Sequence, residues 1–168
     1  MFRAPKARLF WPLTVTLLLA DCATKELAER HLTPSIPEPV VGDYLRFTLS
    51  YNPGAALSVT AGPYSRVIFS LTALVAVLIL GRLYLRADGR ATGFVVALAL
   101  VIGGALGNLA DRLRSARGVV DFIDVGLGQS RFWIFNLADV GVSIGAVLLA
   151  WYLTRSPPTA EPPPEPSS

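Results

Sequence analysis

"GFVVALALVIGGALGNLAD" (93–111) and "FNLADVGVSIGAVLLAWYL" (135–153) carry the same tetrapeptide, Asn-Leu-Ala-Asp, at opposite ends. One apolar run closes on a carboxylate and the other opens on one. A helix needs about 20 mostly apolar residues to cross a bilayer, and each run meets that length. Two more segments do so, at about 9–27 and 64–85, so four membrane helices are expected at about 9–27, 64–85, 92–110 and 135–153. Strands are a poor substitute, because lipid leaves backbone groups unpaired outside a helix or closed barrel, and the later segments lack a barrel strand's alternation.

Composition agrees with this reading. Of 168 residues, 52% are hydrophobic and 16% charged, where a soluble domain carries about 25% charge. A single Cys, Cys22, excludes an internal disulfide, and a single His, His31, argues against a His-rich metal site. The net charge of +3 is modest and the arginines are scattered, so nucleic acid is not an expected partner.

The amino terminus, "FRAPKARLFWPLTVTLLLADC" (2–22), has the basic and apolar parts of a signal peptide. Asp21 precedes Cys22, however, where a lipoprotein signal needs a small residue. A retained first helix is the better reading. Orientation follows Lys and Arg in short loops. Arg3, Lys6, Arg8, Arg82, Arg86, Arg90 and Arg155 lie densely on one side. Lys25, Arg30, Arg46, Arg66, Arg112, Arg114, Arg117 and Arg131 spread over longer loops on the other. Both termini are therefore expected to be cytoplasmic. Outside the membrane, "YLRFTLSY" (44–51) alternates apolar and polar residues as a half-buried strand does, within an outer strand region of about 40–58. "NPG" (52–54) marks a turn. A second outer loop covers about 112–134, and the Pro-rich tail 155–168 is expected to be disordered.

Helix three then runs outward and helix four back, so Asp111 and Asp139 lie on one face of the membrane. A carboxylate at a helix centre costs about 2.5–3.5 kcal/mol, and two at one level suggest a shared site. The alternative is structural: Asp139 favours a helix's positive end while Asp111 pairs with Arg112 or Arg114. Spacing leaves both open. A close carboxylate pair shares a proton, so one member takes a proton from water while the other donates to the leaving amine. The chain lacks His-Glu-x-x-His, and a Ser-His-Asp triad would have to use His31, beside the first helix; a Ser-Lys dyad through Lys25 stays formally open. Asp21 and Lys25, four apart, meet on one helix face. Asn52, Asn108 and Asn136 offer amide donors near the same level, although each singly reads as a cap or turn residue. Gly103, Gly104 and Gly107 suit close helix packing.

With "DCATK" (21–25), "YNPGAALS" (51–58), "GGALGNLADR" (103–112), "VVDFIDV" (119–125) and "FNLAD" (135–139) in order, the chain resembles the lipoprotein signal peptidases, or signal peptidase II, over roughly 10–153. That resemblance implies an all-α membrane protein of four transmembrane helices, with a small extracytoplasmic β-sheet and an outer loop over the site. It implies Asp111 and Asp139 as catalytic aspartates, with Asp21, Lys25, Asn52, Gly54, Asn108, Arg112, Asn136 and Ala138 in supporting or substrate-binding positions. It further implies removal of signal peptides from bacterial prolipoproteins bearing diacylglycerol on Cys, inhibition by globomycin, no metal or cofactor, and a place in the bacterial inner membrane among its lipids. A monomer is expected. Leu57 and Ile134 depart from the family's commoner Phe and Pro. A small proton-coupled transporter using Asp111 and Asp139 as a relay is the main alternative, though acids at one edge and no internal repeat disfavour it. A purely structural subunit would not need so many polar residues on one face.

Overall fold

The computed structural model describes residues 4–56, 59–60, 62–88 and 91–155; Leu57 and the tail 156–168 lie outside the described residues. Among these residues, four long helices, a four-stranded sheet and a separate two-stranded pair, β3 with β4, make up the fold: α1 (Ala4–His31), β1 (Glu38–Val41), β2 (Leu45–Asn52), β3 (Ala55–Ala56), β4 (Val59–Thr60), α2 (Ser65–Arg86), α3 (Thr92–Arg114), β5 (Val119–Leu127), β6 (Ser130–Arg131) and α4 (Leu137–Arg155). A short 3₁₀ turn, Gly62–Tyr64, leads into α2.

Among the described residues, three helices are long and apolar enough to cross a membrane, at 62–86, 92–114 and 137–155. α1 is not among them, because Arg8, Asp21 and Lys25 lower its hydropathy. Polarity of surroundings follows from burial. Only 6% of the apolar window of the second helix is buried, against 44% for α3. Val67, Ile68, Leu71, Leu74, Val75, Leu78 and Ile79 all face outward. An apolar surface that large requires an apolar solvent, so this is a membrane protein, with α3 as its central helix.

Glycine brings α3 and α4 together. A Cβ on Gly104 would collide with the Ala138 carbonyl, and one on Gly145 would lie 2.8 Å from the Ala97 carbonyl. α1 fits beside them, with Thr14 Oγ1 donating to the Ala99 carbonyl at 3.3 Å. Phe10, Tyr84, Val95, Leu98, Ala99 and Ile102 form the core at that end. There Lys6, buried, closes α2: its ammonium donates to the carbonyls of Tyr84 (2.9 Å), Leu85 (3.1 Å) and Ala87 (2.8 Å). These are the carbonyls that a helix end leaves unpaired.

The sheet sits over the other end of the bundle, in the order β1-β2-β5-β6. β2 and β5 pair antiparallel, with Ser50 opposite Asp121 and Asn52 opposite Val119. The alternating stretch near 44–51 is β2. The second outer loop is corrected: most of 119–131 is strand, and β5 is the inner partner of β2. Its residues 119–122 are all buried, because one face packs on Ala28 and Leu49 while the other faces the polar end of the bundle. The segment after β6 turns back along β5, with the Phe135 amide donating to the Ile123 carbonyl at 3.0 Å, which delivers Asn136 to the start of α4.

Candidate active site

The carboxylates gather where α1, α3 and α4 meet the underside of β5. Lys25 anchors the group. Its side chain is fully buried, and its ammonium contacts Asp21 Oδ2 at 2.7 Å, Asp111 Oδ2 at 2.9 Å and Asn108 Oδ1 at 2.9 Å. A buried charge needs such pairing to persist. Asp21 in turn accepts from the Ala138 amide at 2.9 Å through Oδ1, one of the first amides of α4, which has no partner within its own helix. Gly107 leaves room for this: a Cβ there would lie 2.5 Å from Asp21 Oδ2.

Asn136 caps α4 reciprocally. Its Oδ1 accepts from the Asp139 amide at 2.9 Å, and Asp139 Oδ2 accepts from the Asn136 amide at 3.3 Å. This is the geometry of a capping box with Asp in the acidic position. The Asn136 Nδ2 group reaches the other way, to Asp121 Oδ1 at 2.6 Å and Asn108 Oδ1 at 3.1 Å. Asn108 Nδ2 donates to Asp139 Oδ1 at 2.8 Å. Asn136 thus holds both carboxylates, Asp121 through its side-chain amide and Asp139 through its backbone amide.

These groups open onto a cleft of ≈ 600 Å³. Asp121, Asp139, Asn108, Arg112 and Asn52 form its polar side, and Phe132, Trp133, Ile134 and Phe135 an apolar wall. Asp121 is buried, and its carboxyl is pushed up to about 7, first by burial and then by the charge of Asp139; the amides of Asn136 and Asn52 and the Lys25 charge pull the other way. Asp121 is thus placed to hold a proton near neutrality.

The expected pair of Asp111 with Asp139 is not what the side chains form. Asp111 turns to Lys25, to Arg114 Nη2 at 3.2 Å and to the Val120 amide at 3.3 Å, and it does not line the cleft. The carboxyl that faces Asp139 across the Asn136 bridge is Asp121. It lies within "VVDFIDV", one of the stretches that carry the resemblance, but a loop reading of 112–134 gave no reason to aim it at the helices. The other expected residues fall close by. Asp21, Lys25, Asn108, Asn136 and Ala138 form the continuous network just described. Arg112 donates to the Asn108 carbonyl at 3.3 Å and lies over the Phe69 ring at 5.8 Å. Asn52 donates to Asp121 while its Oδ1 accepts from the Gly54 amide at 3.0 Å. Gly54 adopts φ +120° and stands against Ser65, where a Cβ would lie 2.8 Å from the Ser65 Cβ; it shapes the turn and is set behind the carboxylates. Ile134, the departure from the family's frequent Pro, belongs to the apolar wall.

The chain is similar to known proteins along most of its length. A family model described as Signal peptidase (SPase) II matches residues 13–155. A lipoprotein signal peptidase of Moorella thermoacetica is 38% identical over 146 residues, covering 86% of this chain and 91% of the relative. One of Pseudomonas syringae pv. tomato is 41% identical over 162 residues, covering 92% and 91%. Among solved structures, a bacterial membrane enzyme determined by the in meso method superposes with a TM-score of 0.76 at 27% identity, covering 89% of this chain and 92% of that one. A second gives 0.75 at 29%, covering 85% and 90%. A family match across most of the chain, with identities near two in five over nearly its full length, has one reading: the chain belongs to the signal peptidase II family.

Proposed function

We propose that this protease is an intramembrane aspartic endopeptidase that removes the signal peptide from diacylglyceryl-modified bacterial prolipoproteins, cleaving before the lipidated Cys. The observation that carries the reading is that Asn136 bridges two carboxylates on one cleft, its side-chain amide donating to Asp121 Oδ1 and its backbone amide to Asp139 Oδ2. Asp139 accepts from Asn108 and from the Asn136 amide, and serves as the base. It takes a proton from a water molecule, whose oxygen attacks the scissile carbonyl. Asp121 gives its proton to the carbonyl oxygen. The resulting tetrahedral centre collapses as the proton held by Asp139 passes to the amine, the C–N bond breaks, and Asp121 recovers its proton from the new hydroxyl. The pair returns with one proton. Asp21, Lys25, Asp111 and Ala138 hold α1, α3 and α4 in register beneath it, while Asn108, Arg112 and Asn52 border the space for substrate.

Membrane placement follows from the same groups. α1 is proposed as a fourth crossing helix. The charges that lower its hydropathy, Asp21 and Lys25, face inward, while Trp11, Val15 and Leu19 face out. Both termini are then cytoplasmic, in a bacterial inner membrane, and the cleft lies near the outer face. A diacylglyceryl anchor holds the substrate Cys at headgroup depth, so binding energy from the lipid positions the bond to be cut. The apolar wall of the cleft suits such a partner, and a lipopeptide inhibitor of the globomycin type suits the same space.

The test is cleavage of a synthetic lipidated precursor by purified protein, with products weighed by mass spectrometry. Asp121→Asn and Asp139→Asn lose at least about 10³-fold in kcat while remaining folded and membrane-inserted. Asp111→Asn retains measurable cleavage. Wild-type rates from Asp121→Asn overturn the assignment of the pair. Failure of the unaltered protein to cut any lipidated precursor overturns the peptidase reading.

A further inference from the structure

Behind the cleft, three side chains form a clamp. The Tyr51 hydroxyl donates to Glu29 Oε1 at 3.1 Å, and Arg117 Nη2 donates to the same oxygen at 2.8 Å. The Arg117 guanidinium lies 4.0 Å from the centre of the Tyr51 ring. Glu29 sits near the end of α1, Tyr51 in β2, and Arg117 in the turn between α3 and β5. Three elements therefore meet at one carboxylate oxygen.

Two chain neighbours of the clamp lead to the site. Asn52 follows Tyr51 and donates to Asp121. Gly118 follows Arg117 with φ +98°, and a Cβ there would run into the Asn52 carbonyl. The turn thus presses directly on the peptide that carries Asn52. Glu29 and Arg117 themselves do not line the cleft.

We infer that the Glu29–Tyr51–Arg117 clamp is a positioning device that holds the Asn52 amide on Asp121 and so sets how tightly the acid of the reaction keeps its proton. The inference rests on the peptidase reading above. An amide N–H donated to a carboxylate favours the ionised form; when Asn52 drifts, Asp121 holds its proton to higher pH. The charged groups around Asp121 are Asp139 on α4, Lys25 on α1 and Arg112 on α3, with Asp111 one residue away at the Val120 amide. The clamp variants below leave all four in place. If Glu29 and Arg117 acted on Asp121 as remote charges, deleting an anion and deleting a cation would move its titration in opposite directions. Acting through Asn52, both deletions move it the same way.

The experiment measures kcat and KM for the lipidated precursor from roughly pH 5 to 9 for wild type, Glu29→Ala, Arg117→Met, the double variant and Tyr51→Phe. Expected results are a fall in kcat of about threefold to tenfold with KM within about twofold. The basic limb of the profile moves upward in both single variants and no further in the double. Tyr51→Phe, which removes a single hydroxyl, moves it the same way by a smaller step and serves if a bolder variant fails to fold. In an Asn52→Ala background the clamp variants add nothing. Opposite shifts in Glu29→Ala and Arg117→Met, an unmoved limb, or changes confined to KM overturn the inference. Should wild type cut no lipidated precursor, the peptidase reading fails on its own, and the Asp121 titration followed by carbon NMR of labelled aspartate then decides the clamp by the same criterion of sign.

Discussion

Replacing Lys25 with Met removes a cation and keeps most of the side-chain volume. The ammonium has three partners within 2.9 Å, Asp21, Asp111 and Asn108, and its side chain is fully buried. Its loss strands charge, and breaking a buried pair by removing one member costs about 3–5 kcal/mol. The two carboxylates do not suffer equally. Asp111 keeps Arg114 and the Val120 amide. Asp21, fully buried, keeps the Ala138 amide and nothing for Oδ2. At 2–4 °C per kcal/mol for a chain of this length, Lys25→Met lowers the melting temperature by roughly 10 °C. Adding Asp21→Asn to Lys25→Met recovers part of that loss, and recovers more than adding Asp111→Asn. Cys22, the single thiol, is half-buried in α1 and reports unfolding through a thiol-reactive dye in detergent micelles. A Lys25→Met protein that melts with wild type refutes the buried-network account. So does a double variant whose losses simply add, because neighbours in one network couple by about 0.5–3 kcal/mol.

Two further outcomes follow from the same geometry. Asp121 binds its proton more tightly in the folded chain, near 7 against an ordinary 3.8, so the native state carries the extra proton between those values and stability falls as pH rises through that window. The full effect is at most about 4 kcal/mol; thermal melts at stepped pH show the decline in wild type and a flattened line in Asp121→Asn. Gly104→Val drives a side chain into the Ala138 carbonyl. Overpacking of this kind costs about 1–3 kcal/mol, and because Ala138 adjoins Asp139 the variant also loses cleavage, which melting and the precursor assay record together.

Much of the helical frame was legible because apolar length is a strong signal: α2, α3 and α4 are each an apolar stretch plain in the primary sequence. α1 was harder. It spans Ala4–His31, and its composition falls short of a membrane helix because Asp21 and Lys25 are interior groups of a polar network. β2 was visible because apolar Leu45, Phe47, Leu49 and Tyr51 alternate along it with polar residues. β5 was hidden for the opposite reason. Residues 119–122 are buried on both faces, so no alternation marks them, and two aspartates gave the segment the look of a loop. That omission carried over to the site. The repeated Asn-Leu-Ala-Asp made Asp111 and Asp139 look equivalent, yet no spacing rule reveals that Lys25 claims the first copy. Asn108 and Asn136 each stand three residues before an aspartate, where a helical turn would pair them. In the fold Asn136 does cap Asp139, while Asn108 reaches Asp139 across the helix interface, a contact set by packing and invisible to sequence distance.

Lys6 belongs to two moments in the life of this molecule. On the proposed topology, α2 does not yet exist as the nascent chain threads into the bilayer, and the ammonium is then a free cation among the basic residues that would fix which way the first helix faces. Once α2 arrives, the same group is drawn onto the carbonyls of Tyr84, Leu85 and Ala87 and ceases to be available to anionic headgroups. A tally of basic residues describes the chain during biogenesis; the mature protein presents lipid with one cation fewer on that side.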